Sequence, residues 1–274
     1  MLEKLTPFPE VARKLLALLD EPTVTIPEVA NLVRSDAAFA AEVLRLSNSA
    51  VMGLRFEVVS ILHGVTVLGM DRLRALVLTV AMRDFVTAAR HTDLLRRSWR
   101  HNLATALIAE WIAGGCWIER SDAYAAGLLH DLGRLALVSL DPNVYGRLIE
   151  RMKPGADIAA SERAAYGFDH VEASRWLVDH WGIPAKLRPA ICGSGEEMFG
   201  LGSLAAAACH AAGMMAFAFE SAPEPEQPVD AGAIGAYFNE FLPEEAWAKL
   251  EPELHQIIEA VPFKINVFET EFLT

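Results

Sequence analysis

Cysteine is scarce in this chain of 274 residues: Cys116, Cys192 and Cys209 are widely spaced and form no CxxC pair. That argues against a disulfide framework and for free thiols in a reducing cytosol, with packing as the expected role of all three. Lys/Arg clusters are missing as well, and the formal net charge is −12. Such a surface repels phosphate backbones, so nucleic acid is not an expected partner. No bilayer-spanning run is present, although 53% of the residues are apolar and the mean hydropathy is +0.25. The longest apolar stretch, SLAAAACHAAGMMAFAF, is broken by His and Gly and rich in Ala, which suits a buried helix. The opening MLEKLTPFPEVARKLLALLD lacks the apolar core and cleavage site of a signal peptide, so a cytoplasmic protein without membrane attachment is expected. Strand signals are scarce, and no internal repeat is evident.

What is present is helical periodicity. In PEVARKLLALL (9–19), a proline suits the first turn, Val11, Leu15, Leu18 and Leu19 form one stripe, and DEP ends it. Val29, Leu32 and Val33 mark a second helix. Ser35 is a candidate cap for a third, whose Phe39, Val43 and Leu46 recur at helical spacing. This pair of helices invites a helix-turn-helix reading, but residues 26–57 set Arg34, Arg45 and Arg55 against Glu28, Asp36, Glu42 and Glu57. A segment of net negative charge is a poor phosphate binder. MDRLRALVLTVAMRDF carries Leu73, Leu76, Val77 and Val80 on a broad apolar face, the pattern of a helix buried on more than one side. Farther on, Asp169 and Glu172 fit a capping box, and Gly182 with Pro184 supplies a stop. SAPEPEQP (221–228) reads as a linker, and AWAKLEPELHQIIEA as part of a terminal helical element.

The polar residues inside these apolar patterns carry the chemistry. His101 shares a helical face with Thr105, Ile108 and Ile112 and so looks inward. His130 and Asp131 sit in the apolar run GLLHDLGRL, where unpaired polar groups are costly. Ala123, Ala126 and Gly127 lie on the same side as His130, a small-residue face that lets another helix approach. If that helix carries His101, two imidazoles and a carboxylate converge, a donor set suited to Zn, Fe or Mn. The alternative is a metal-free polar network in which Asp131 accepts from an imidazole N–H. His170 is a fourth candidate. His180 falls on another side of its helix, next to its end, where it complements the helix dipole. His63, His91, His210 and His255 find no partners in local sequence.

LTPFPEVARKLLALLDEPTVTIPEVANLVRSDAAFAAEVLRLSNSAVMGL and VSILHGVTVLGMDRLRALVL, with Asn48-Ser49 and Leu68-Gly69 at their marked positions, are followed by WRHNLATA, GLLHDLGRL and GFDHVEASRWLVDHWGIP. In this order the chain resembles, from about residue 5 to 215, the HDOD family of HD-related output domains in bacterial signalling proteins. The resemblance implies an all-α fold: an HDOD-like domain over 1–215, with an N-terminal helical subdomain (1–90) and a degenerate HD-like subdomain (91–215). Beyond it lie the linker at 221–228 and a C-terminal helical element at 229–274, which would either cap the core or dock a partner.

HD phosphohydrolases bind metal through a first His, the HD pair and a distal Asp, and binuclear phosphodiesterase relatives add further histidines. By that resemblance the candidate or vestigial ligands here are His101, His130 and Asp131, with His170 matching one added ligand. The later His-rich stretch reads AICGSGEE around Cys192, the distal Asp aligns with Gly213, and the usual lysine after the HD pair is Arg134. No catalytic residue is assigned. The expected occupant is at most one divalent transition metal, Fe, Mn or Zn. A non-catalytic regulatory module acting in trans on signalling proteins, with a homo-oligomer open, is therefore expected. A phosphohydrolase or cyclic-dinucleotide phosphodiesterase with a degenerate site, and a ligand-binding sensor, are the competing readings.

Overall fold

Local signals explain most helix boundaries. In the computed structural model, which describes residues 2–5, 7–49, 52, 54–88, 92–152, 157–193, 200–218 and 229–272, α1 runs over Glu10–Leu19 directly after Pro9. It buries Ala12, Leu15, Leu16 and Leu19, so its inner face is turned slightly from the expected stripe and leaves Val11 and Leu18 at the edge. Helix α2 (Ile26–Arg34) opens with a capping box in which the Thr25 amide donates to Glu28 at 2.9 Å. Helix α3 (Ala37–Ser47) is capped by Asp36, whose carboxylate accepts from the amides of Ala38 and Phe39 at 2.9 and 3.1 Å. Ser35, the expected cap, instead donates to the carbonyl of Leu32 and closes the preceding helix. Asp36 is one residue nearer the first free amides and carries the anion that a helix N-terminus favours.

These three helices gather around α4 (Ile61–Ala88), which is broken at Gly69, where φ is +74°. A residue with a Cβ resists that conformation. Asn48 explains part of its own motif: its side-chain amide donates to the carbonyl of Val58 at 2.8 Å and accepts from the Val58 amide at 2.7 Å. It thereby clamps the connection between α3 and α4 as a strand partner would. Arg74, nearly buried on α4, binds the Leu19 carbonyl and the Asp20 carboxylate, each at 2.8 Å, and so closes the end of α1.

The second half is built around α5 (Asp93–Ala113), which buries 16 of its 21 residues. A helix covered on all sides in this way forms the axis of the domain. Helix α6 (Arg120–Leu129) packs along it through Gly127, where a built Cβ would stand 2.7 Å from Ala106 Cα. Helices α7 (Leu132–Leu140), α8 (Pro142–Arg151), α9 (Ile158–Tyr166) and α10 (His170–Trp181) follow. The expected box between Asp169 and Glu172 opens α10, and Gly182 at φ +64° ends it. After α11 (Arg188–Cys192), helix α12 (Leu201–Ala212) covers α5 and α6 and ends in a wider turn over Gly213–Phe217, with Ala216 at φ +62°.

Helices α13 (Ala231–Phe241), α14 (Glu244–Leu250) and α15 (Leu254–Phe272) return to α5. Phe238 meets Trp111 edge-on at 5.4 Å and Trp247 at 6.2 Å. Glu269 of α15 binds Arg96 and Arg100 of α5. The fold is all-α, as expected, with no strand among the described residues. No helix among them is long and apolar enough to cross a membrane. His91 and the linker at 221–228 lie outside the described residues.

Candidate metal centre

Three helix ends and the middle of α5 place the polar cluster. His101 projects from α5, His130 terminates α6, Asp131 precedes α7, and Cys209 lies in the last turn of α12. The small-residue face of α6 does what its composition suggests: with Gly127 against Ala106, His130 Nε2 comes to 3.1 Å from His101 Nε2. Asp131 Oδ2 stands 3.8 Å from His101 Nε2 and 3.7 Å from His130 Nε2.

The ring orientations follow from the main chain. His101 Nδ1 lies 2.8 Å from the Phe217 carbonyl, and His130 Nδ1 lies 2.7 Å from the Gly127 carbonyl. A carbonyl oxygen only accepts, so each neutral ring carries its proton on Nδ1 and presents a bare Nε2 to the cluster. Backbone-oriented imidazoles of this kind are how metal-ligating histidines are commonly held.

Cys209 is the residue that sequence reasoning missed. Read as packing, its Sγ instead lies 3.5 Å from His101 Nε2. Together with His101 and His130 it forms a group whose donor atoms all lie within 4.8 Å of one another. Ligands at about 2.0–2.1 Å (nitrogen) and about 2.3 Å (sulfur) on one tetrahedral ion stand about 3.3 Å (N to N) and about 3.6 Å (N to S) apart. The observed 3.1 and 3.5 Å match that donor set. Gly213, the position aligned with the distal acid, lies one turn farther along and contributes no side chain.

His170, the fourth sequence candidate, stands outside that group of donors. Its Nδ1 donates to Glu162 Oε2 at 2.6 Å, its amide donates to the same oxygen at 2.9 Å, and the Tyr145 hydroxyl donates to Oε1 at 2.6 Å. Glu162 and Tyr145 are both fully buried. Neither has a sequence signal, because a lone Glu in SERAAY reads as a solvated residue on a short helix. Arg134, which replaces the expected lysine, lies 3.6 Å from Asp131.

Burial would raise the Asp131 carboxyl, but His130, Arg134, His101 and His170 overcome it and hold the group down at about 2. His101 is lowered from 6.5 to about 4, chiefly by burial and then by His130, against Asp131 and the Phe217 carbonyl. In metal-free protein the unfolded chain then binds a proton at His101 that the folded chain refuses between pH 6.5 and about 4. Stability from this group is complete above pH 6.5 and is lost as pH falls through that window, by up to roughly 3 kcal/mol. In chelator-treated protein, the His101 ring resonances should titrate with a midpoint near 4. A midpoint above 6 would contradict its burial.

An inward histidine and a His-Asp pair meeting on packed helices place the molecule among helical domains of the HD type. The chain belongs to the HDOD domain family, whose family model matches residues 5–194. An HDOD domain protein of unknown function from Geobacter sulfurreducens is 22% identical, with a TM-score of 0.70 over 94% of this chain and 92% of the other. A candidate phosphohydrolase from Shewanella amazonensis SB2B is 24% identical, with a TM-score of 0.70 over 95% of each chain. A candidate signal transduction protein from Marinobacter aquaeolei VT8 is 22% identical, with a TM-score of 0.68 over 97% of this chain and 60% of the other. At these identities the likeness is one of fold. An uncharacterized protein of Treponema pallidum (strain Nichols) is 23% identical over 188 residues, which is 66% of this chain and 36% of that relative. The chain thus spans about a third of the length of this curated relative.

Proposed function

We propose that this chain is a signal-transduction module that works through contacts with other proteins in trans and does not hydrolyse phosphodiesters. The observation that carries this reading is the poverty of anionic oxygen at the centre. Asp131 is the carboxylate beside the two bare imidazole nitrogens, Gly213 stands where the distal acid belongs, and the Glu162 carboxylate is taken up by Tyr145 and His170. Phosphoester hydrolysis requires a firmly held ion that activates water and a second group that neutralises the phosphate. His101, His130 and Asp131 would hold one divalent ion. That ion would supply Lewis acidity, while the protein residues orient the donors and keep the cluster largely dry.

An exposed apolar segment supports the contact role: Phe56 is 56% exposed and Val59 77%, beside half-exposed Leu62. Where such side chains adjoin, they offer apolar area to another protein. The signalling assignment also draws on the HDOD membership and, by analogy of fold alone, on the neighbour described as a candidate signal transduction protein.

The test is hydrolysis of cyclic dinucleotides and generic phosphodiesters by protein loaded with Zn, Mn or Fe(II). The expected result is no turnover above that of His130→Ala and Asp131→Ala variants. Robust turnover that both substitutions abolish would overturn the reading, and saturable nucleotide binding without product would replace it with a sensor.

A further inference from the structure

We infer that Cys209 is a thiolate ligand of a closed, four-donor zinc site completed by His101, His130 and Asp131. The assignment rests on the non-catalytic reading above and deepens it. It starts from a conflict between two neighbours. His101 and His130 each commit Nδ1–H to a main-chain carbonyl, which leaves two nitrogen lone pairs 3.1 Å apart. Both side chains are more than nine-tenths buried. Lone pairs so placed repel unless a positive centre lies between them, and burial excludes bulk water from that role.

A shared proton is one such centre, but it bonds two atoms along a line and gives no reason for further donors to gather. Here two more do. Cys209 Sγ is 3.5 Å from His101 Nε2 and within 4.8 Å of His130 Nε2, approaching from α12. Asp131 Oδ2 is 3.7–3.8 Å from both nitrogens, approaching from the start of α7. Three donors from three helices lie close enough together for one ion, and Asp131, beside the two nitrogens but outside that group, is the side chain that would complete a tetrahedral shell. The Asp131 oxygen is a few tenths of an ångström farther from both nitrogens than such a shell needs and stands outside the group that includes Cys209, so it closes the shell by rotating its side chain toward the sulfur.

The donor chemistry selects the metal. Two imidazoles and one carboxylate would suit Fe, Mn or Zn alike, whereas a thiolate shifts preference to zinc among the common divalent ions. A thiolate also supplies the second negative charge that Gly213 withholds, and it does so by filling the position where water would bind. Closed tetrahedral shells with sulfur are structural sites, while catalytic zinc keeps a position open. The ion then ties α5, α6, α7 and α12 together.

The test uses full-length protein produced without chelator. About one zinc per chain is expected, and cobalt exchange should produce a thiolate-to-cobalt charge-transfer band in the near ultraviolet. Cys209→Ser should abolish that band and weaken zinc binding by about a hundredfold or more, since even the loss of an orienting partner outside the ligand shell costs 10–100-fold. A Cys116→Ser/Cys192→Ser double variant should keep both band and affinity. Stoichiometric cobalt without the band in the wild-type protein, a band that survives Cys209→Ser, or folded protein that takes up no zinc from a buffered supply would each overturn the assignment while leaving the non-catalytic reading intact. Phosphodiester turnover by the zinc-loaded protein would overturn the non-catalytic reading and leave thiolate ligation to be judged by the band alone.

Discussion

Gly133→Ala is expected to destabilise the protein by at least about 3 kcal/mol, as a drop in the urea midpoint with an unchanged slope. A Cβ built at this position stands 1.8 Å from the carbonyl oxygen of His170 and 2.6 Å from Ser174 Oγ. The first obstacle is main chain, at the point where α10 begins, so relief requires α7 and α10 to separate. The Gly133 amide also donates to Ser174 Oγ at 3.0 Å, a bond lost on separation. Asp131 lies two residues upstream, so the same displacement draws its carboxylate away from the histidines. Gly213→Ala is the matched control: its backbone is helical and nothing lies within 4 Å of the added carbon. It should be neutral or stabilising by up to about 1 kcal/mol. A Gly133→Ala variant within about 1 kcal/mol of wild type would mean that the two helices are not in contact as described.

Glu162→Ala should cost about 3–5 kcal/mol, the range for removing one partner of a buried charged network. The carboxylate is fully buried and accepts from the Tyr145 hydroxyl, the His170 ring and the His170 amide. Deleting it strands the fully buried Tyr145 hydroxyl and leaves the part-buried His170 ring and amide without their acceptor. Tyr145→Phe removes a single bond to a charged acceptor and should cost about 1.5–3 kcal/mol. Burial and the neighbouring Glu162 charge both push the Tyr145 hydroxyl well above its usual range, so it stays a donor at any working pH. Chemical denaturation of the two variants decides the matter: equal losses would show that Glu162 serves Tyr145 alone and does not anchor His170.

The physics of local structure made much of the fold legible. The box at Asp169 and Glu172 and the stop at Gly182 needed nothing beyond neighbouring residues, and both appear as expected. The α3 cap was off by one residue, since Ser35 and Asp36 are both good caps and only the exit path of α2 chooses between them. The inner face of α1 is less legible, because residues 15–19 carry four leucines and the packing against α4 decides that Leu15, Leu16 and Leu19 turn inward while Leu18 stays at the edge.

The centre was less legible, for a reason of range. His101, Gly127 and His130 could be placed on facing helices from periodicity and small-residue spacing. Cys209 is 108 positions from His101 and sits in an alanine-rich helix, where nothing sets it apart from a packing residue. The one signal is its spacing: Cys209 lies four residues before Gly213 and so shares its helical face. Glu162 lies across a chain reversal from His170, so no helical period links the two.

Both imidazoles of the centre are aimed by peptide oxygens, at Phe217 and Gly127. Every amino acid carries that oxygen, so the side chain at Phe217 can be rewritten without erasing the constraint, whereas Gly127 is held by its own close packing on Ala106. What can be lost is the path of the polypeptide: past Ala216, at φ +62°, a change in the turn after α12 would swing one oxygen aside and free a ring seven helices earlier in the chain. Inheritance of this site therefore resides as much in the route of the backbone as in the letters along it.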